Sequence, residues 1–334
     1  MGPGMVALLL ALGGAPAPAP APLSLPGGEG GIGFDDLLYS RALDRVLVPG
    51  GRSGRLDLVD PKTGRVEAVD GFTQAARFGG GHGQGTTSAD SGRGLVFASD
   101  RDRRAVRIVD LRQKKIVGSA DLAAAPDYVR WVEPNGEVWV TEPKLEAIEW
   151  FKLETDGGGA PRLTRAGSIK VAGGPESLVV DAARGRAYTH TWRDATVAID
   201  LQGHREVARW TNGCEGSRGI ALDEPRGLLF AGCEEGKAVA LDVAHGGKRV
   251  GQAPASKGVD IIAYNAQLKH LYVPGGDAAT MTVLAVDPGG ALRALATVPT
   301  AADAHCVAAD PLGHAYVCDP AKGRLLVFTD ELGR

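Results

Sequence analysis

Aromatic side chains are scarce in this sequence, at 5% of 334 residues, and sulfur is scarcer still, with four cysteines and three methionines. An excess of charge of either sign is also missing: 37 basic against 40 acidic residues leave a formal net charge of −3. Each shortage excludes something. A near-neutral chain without a basic block has little electrostatic hold on nucleic acid or on an anionic membrane surface. The cysteines form no CxxC pair, the close spacing a zinc site usually needs, and no CxxCH for covalent haem attachment. No apolar run approaches the roughly 20 residues of a membrane-spanning helix. Amphipathic helical stretches are missing as well, which excludes ferredoxin-like and doubly wound folds. Neither GxSxG nor HExxH occurs, so no nucleophile elbow or zinc-hydrolase helix is signalled.

What is abundant is glycine and proline. Together they number 48 and 20, about a fifth of the chain, against an average usage of about 12%. Many tight turns are therefore expected, while 44% hydrophobic residues suffice for a core. The N-terminus carries the apolar run Val6 to Leu12 followed by GGAPAPAPAP. A short apolar stretch followed by small residues resembles a secretory signal peptide. Residues 1–21 are read as this leader with its Ala/Pro linker, residues 22–330 as one folded domain, and the destination as periplasmic or extracellular. In an oxidising compartment an even number of cysteines reads as disulfides. Cys214 and Cys233 lie either side of one tight turn, and Cys306 and Cys318 flank another symmetrically, which predicts bridges 214–233 and 306–318.

Self-similarity along the chain sets the architecture. DLLYSRALDRVLVP, TTSADSGRGLVFAS, YVRWVEPNGEVWVT, SLVVDAARGRAYTH, GIALDEPRGLLFAG, IIAYNAQLKHLYVP and VAADPLGHAYVC each read as strand, tight turn, strand. Third strands ending in an apolar-Asp pattern follow, such as RLDLVD, AVRIVD, ATVAID and MTVLAVD, and then fourth strands such as IVGSADL and KRVGQA. Aligned on the first turn, the units start near residues 35, 85, 128, 176, 218, 260 and 305. Four strands every 40–50 residues predict an all-β, seven-bladed β-propeller with four antiparallel strands per blade. The last unit holds only three strands before the chain stops. The segment Pro22 to Pro26 is the candidate to supply the fourth and close the ring, leaving no open edge.

In such a ring the first strands line the channel, so aligned positions face one another. They hold Asp35, Tyr128, Glu176, Arg218, Asp260 and His305, the candidate ligand-binding ring. Asp35, Asp260 and His305 fall on successive blades and offer oxygen and imidazole donors to a divalent cation such as calcium or zinc. Against this, Arg218 between two acids reads equally as an ion-pair lattice, with no cofactor. The glycine-rich segment Gly79 to Gly85 reads as an inter-blade loop, because a strand follows it where a phosphate loop needs a helix. His82, His204, His245, His270 and His314 fall in loops or turns without paired ligands. His190 lies on a second strand from which it could reach the ring face. Trp131, Trp139 and Trp150 read as packing within the third blade.

The motifs Val138-Trp139-Val140-Thr141, Leu271-Tyr272-Val273-Pro274 and Ala315-Tyr316-Val317-Cys318 resemble the YVTN-repeat β-propellers of bacteria. The resemblance spans nearly the whole mature chain. It implies a seven-bladed propeller related in form to the nitrite reductase haem-domain and quinoprotein-like propellers, and it fixes no single activity. The expected role is an exported, non-catalytic scaffold that takes a small molecule or protein partner at the channel mouth, as a monomer, without nucleic acid. The rival reading is a metal-dependent lactonase or related hydrolase. Gluconolactonase propellers, similar in overall form, mix asparagines with acids at the ring, whereas Asn135, Asn212 and Asn265 all fall outside it here.

Overall fold

The computed structural model describes residues 18–155 and 159–333; the apolar run at Val6 to Leu12 lies outside them. Among the described residues 28 strands form seven sheets of four. In each, neighbouring strands are antiparallel, and in six of the seven they follow chain order. The first strands are short, from Leu38–Ser40 in blade 1 to Val307–Ala309 in blade 7, except in blade 5, where the strand runs Ser217–Asp223. They stand where the repeat alignment put them.

Blade 7 is closed as the sequence predicts. Its outermost strand is β1 (Ala21–Ser24), which pairs antiparallel with β28 (Arg324–Thr329), Leu23 facing Leu325. The two ends of the described chain thus meet in one sheet. The third and fourth strands of blade 3 are Ala147–Glu154 and Arg162–Lys170.

Strand alternation explains how the ring packs. Successive side chains point to opposite faces of a sheet, and here those faces meet different neighbours. Val46 and Val48 of blade 1 pack with Leu325 of blade 7, while Leu47, Leu56 and Leu58 pack with Val96 and Ala98 of blade 2. Similar clusters fill the seams between blades 2 and 3, 4 and 5, 5 and 6, and 6 and 7. The core is therefore a set of seams around a channel. The inner strands leave a cavity of about 740 Å³ there, walled by Leu38, Val180, Leu222 and Ala309 with Tyr39 and Tyr264.

Candidate functional site at the channel mouth

The residues that precede each first strand all arrive at the same end of the channel, because every blade runs its inner strand in the same direction. Their backbones are pinned to the second strands: Asp127 N–H donates to Thr141 O at 2.9 Å and Glu176 N–H to His190 O at 2.9 Å. Asp260 N–H instead reaches the next blade, at His305 O, 3.1 Å away.

Asp35 and Asp36 show how finely this position is divided. Asp36 points into the channel, where Arg130 donates to its two oxygens at 2.5 and 2.9 Å and Ser88 Oγ adds a bond at 2.6 Å. The Arg130 guanidinium also lies over the Tyr128 ring, 4.8 Å from its centroid. Tyr128, expected in the ring, is thus only 3% exposed and belongs to the packing below it. Asp35 faces the mouth. Its Oδ2 lies 3.0 Å from His82 Nδ1 and 3.3 Å from an Arg101 nitrogen, and Arg101 also donates to Asp127 at 2.9 Å. Across the ring Arg218 bridges Glu176 and Glu234, both at 2.8 Å.

Four of these residues escaped the sequence reading. His82 was assigned to an unpaired loop. Instead it spans Asp35 and Asp260, its Nε2 standing 3.5 Å from the Asp260 carboxylate. Its glycine-rich loop can lie this close because Gly33 has no side chain: a Cβ there would sit 2.1 Å from Gly81 O. Arg101 and Glu234 each follow directly on a second strand, Leu95–Asp100 and Leu228–Cys233. Aligning second-strand ends as well as first-strand starts reveals both. Asp127 is the ring residue of blade 3, one position before the aligned Tyr128.

Charge is in surplus on the acid side. Burial, reinforced by Asp127 and Asp260, pushes the Glu176 carboxyl up to about 9 in spite of Arg218. Burial and the Asp35 charge push Asp127 up to about 7 and raise Asp260. Asp35 goes the other way. Burial works to raise it, but the His82 imidazolium beside it prevails and holds it below the usual range. The same pairing lifts His82 to about 10. Near neutral pH the mouth therefore holds a protonated Glu176 and a partly protonated Asp127 beside the ionised Asp35 and His82.

The expected metal donors part company. Asp35 and Asp260 gather with His82, their donor atoms within 4.8 Å of one another. His305 turns away from them. Its Nδ1 stands 2.6 Å from Asp303 O and its Nε2 3.1 Å from Phe34 O. Two carbonyl acceptors require two N–H donors, so the ring is an imidazolium in this arrangement. Although burial opposes that charge, Cys318 and Asp303 raise the pKa to about 11.

The cysteines divide likewise. Cys214 and Cys233 are joined as expected, 19 residues apart in sequence. Cys306 and Cys318 are not joined and stand as buried thiols. The Cys318 sulfur instead accepts a hydrogen bond from the Cys306 N–H at 3.2 Å. Burial works to raise the Cys318 thiol, but the Cys306 group and the nearby His305 bring it down to about 7. His190 lies apart from the mouth. It is fully buried, with Nδ1 3.0 Å from Thr196 Oγ1.

No protein-family model and no curated protein matches the chain. Solved structures match by shape. Hydrazine synthase of Kuenenia stuttgartiensis superposes with a TM-score of 0.73 at 14% identity, over 91% of this chain and 97% of that one. A chain of a mitotic checkpoint complex gives 0.75 at 13% identity, over 98% and 99%. The β-propeller domain of Cps50 (Swd1) from Myceliophteria thermophila gives 0.69 at 12%, over 90% and 98%. At these identities the likeness is one of fold.

Proposed function

We propose that this propeller is an exported binding module of the YVTN-repeat kind, without a catalytic step of its own, and that its channel mouth receives a ligand or protein segment bearing positive charge. The observation that carries this reading is the convergence of Asp35, Asp127, Glu176 and Asp260, from four different blades, on one mouth with raised pKa values at three of them. Buried carboxylates that hold protons more tightly than in water gain most from an arriving cation. An ammonium or guanidinium group would take the place of those protons. Export is supported by the apolar leader and by the Cys214–Cys233 bridge, a bond that persists in oxidising compartments. A partner in the form of a protein is in keeping with the fold, since one of the similar structures is a chain of a checkpoint complex.

The test is thermal unfolding of the mature protein with spermidine, argininamide and a short lysine peptide, repeated on Asp260→Ala and Glu176→Gln. A native-state ligand stabilises by RT ln(1 + [L]/Kd), so millimolar probe at a micromolar site adds about 4 kcal/mol. Stabilisation by a cationic probe that both variants lose supports the reading. Equal stabilisation of parent and variants, or none from any cationic probe, overturns it.

A second reading rests on the approach of Asp35, His82 and Asp260. A divalent cation held there would polarise a carbonyl and activate water, as a lactonase requires. Lactone hydrolysis that EDTA abolishes and calcium or zinc restores, and that Asp260→Ala lacks, would replace the binding module with the hydrolase.

A further inference from the structure

Beneath the mouth, His305, Cys306 and Cys318 form a cluster that the binding reading leaves unused. Cys306 precedes the first strand of blade 7 (Val307–Ala309) and Cys318 lies near the end of the second (His314–Asp319). The ladder between them pairs Val307 with Val317, so the next step outward sets the two cysteines opposite each other. Cys318 N–H donates to Cys306 O at 3.1 Å, which confirms that step. Both cysteines are fully buried, and His305 is 7% exposed. A ring nitrogen of His305 and the two sulfurs all lie within 4.8 Å of one another.

We propose that these three residues bind one thiophilic metal ion, zinc(II) or copper(I). The donor set decides the class. Two sulfurs and an imidazole nitrogen are soft ligands, and no oxygen donor belongs to the cluster, so calcium and magnesium are poorly served. The dimensions agree with the class as well. An ion about 2.3 Å from each sulfur and 2.0–2.1 Å from nitrogen, in a trigonal plane, sets donors about 4 Å apart. The cluster needs to close by less than about 1 Å to reach that geometry. Binding releases the two thiol protons and one imidazolium proton, which leaves two thiolates and a neutral imidazole as ligands. The other ring N–H of His305 keeps a backbone carbonyl, Asp303 O or Phe34 O, as its acceptor. Metal-ligating histidines are commonly oriented in this way. An ion there would tie the first two strands of the blade that closes the ring and would fix His305 beside His82, whose rings stand 5.7 Å apart.

The test uses the full chain, purified under mild reductant and freed of metal with a chelator. Cobalt(II) serves as the spectroscopic probe for zinc, and copper(I) is added in competition with a chromogenic copper(I) chelator. One ion per chain is expected, with a thiolate-to-cobalt charge-transfer band or displacement of the chelator distinguishing the two metals. Reagent-accessible thiols in the unfolded, metal-free chain should be protected in the loaded one. Cys318→Ser should abolish binding, and His305→Ala should weaken it by at least about tenfold. Glu176→Gln, at a mouth residue that touches none of the three ligands, should leave it intact, which separates this site from the channel mouth. Circular dichroism checks the fold of each variant, and Cys306→Ala is the second route should Cys318→Ser not fold. Binding of no ion in stoichiometric amount overturns the proposal, as does equal binding by the Cys306→Ala, Cys318→Ser double variant. Peptide mapping of the untreated protein that finds a 306–318 disulfide also overturns it.

Discussion

Asp57 is the residue whose surroundings fit it least. It sits on the third strand of blade 1 (Arg55–Val59), is fully buried, and neither carboxylate oxygen has a hydrogen-bond partner. Burial pushes its carboxyl up to about 7. Between the ordinary carboxylate pKa near 4 and that value the native state holds a proton that the unfolded chain has released. Stability contributed by this group must therefore fall as pH rises from about 4 to 7, on the order of 4 kcal/mol in all. Asp57→Asn should raise stability at pH 8 and change it little at pH 4, as read by denaturant unfolding at both values. An equal effect at the two values would show that the carboxyl does not titrate in this window.

His190 works in the opposite sense. Burial lowers its pKa to about 4, although the Phe230 carbonyl opposes the shift. Below about 6.5 the unfolded chain takes up a proton that the native ring refuses, so stability drops as pH falls from 6.5 towards 4. His190→Gln should flatten that acid limb and leave the Asp57 limb in place. Urea titrations at pH 4.5 and 7.5 separate the two. Neither residue was legible as a problem in the sequence: Asp57 fits an ordinary third-strand alternation, and His190 looked free to reach the ring. Alternation tells which face a side chain takes, but it does not tell whether that face meets solvent or the next blade.

A shared irregularity runs through the blades. In blades 2 to 6 the pairing between third and fourth strands shifts at the equivalent place, after Ile108, Trp150, Ala198, Ala240 and Val283. The fourth-strand residue opposite is small each time: Gly118, Gly167, Ala208, Gly251 and Ala296. A bulge adds a residue to one strand and increases local twist, which the outer edge of a blade needs if it is to fan away from the channel. The strands themselves were legible, because their alternation and turn residues recur. The bulges were not, since a one-residue shift leaves the apolar pattern of the third strand intact. The small residues were the available signal. Gly251 has a second constraint, because a Cβ there would lie 2.1 Å from Gly290 O in the turn of the next blade. Gly251→Ala should therefore destabilise by about 1–3 kcal/mol. Chemical denaturation measures this, and a neutral result would show that the seam between blades 5 and 6 yields freely.

The mouth is a property of the whole ring, and so is its partial legibility. One alignment, on first-strand starts, picked out Asp35, Glu176, Arg218 and Asp260, four residues that lie together at the mouth. It could not supply His82 or Arg101, which come from a loop and a second-strand end and reach the mouth only once the ring is closed. Closure depends on very little chain. β1 has four residues, three of them exposed, and only Leu23 in it packs against the core, with Leu25 buried just beyond. Without it, β28 would present a free edge of unpaired N–H and C=O groups, and the seam between blades 7 and 1 would lose Leu23 and Leu25. Removal of residues 1–26 should lower the melting temperature and drive the protein into higher oligomers by edge pairing, as seen by calorimetry and size-exclusion chromatography. A truncation ending at residue 17 is the control and should melt with the full chain. Deletion to residue 26 should also weaken whatever the mouth binds, because the short stretch 27–33 alone links the closing segment to Asp35 and to the Phe34 carbonyl that accepts from His305. Unchanged melting and unchanged size after that deletion would mean that the blade seams alone hold the ring shut.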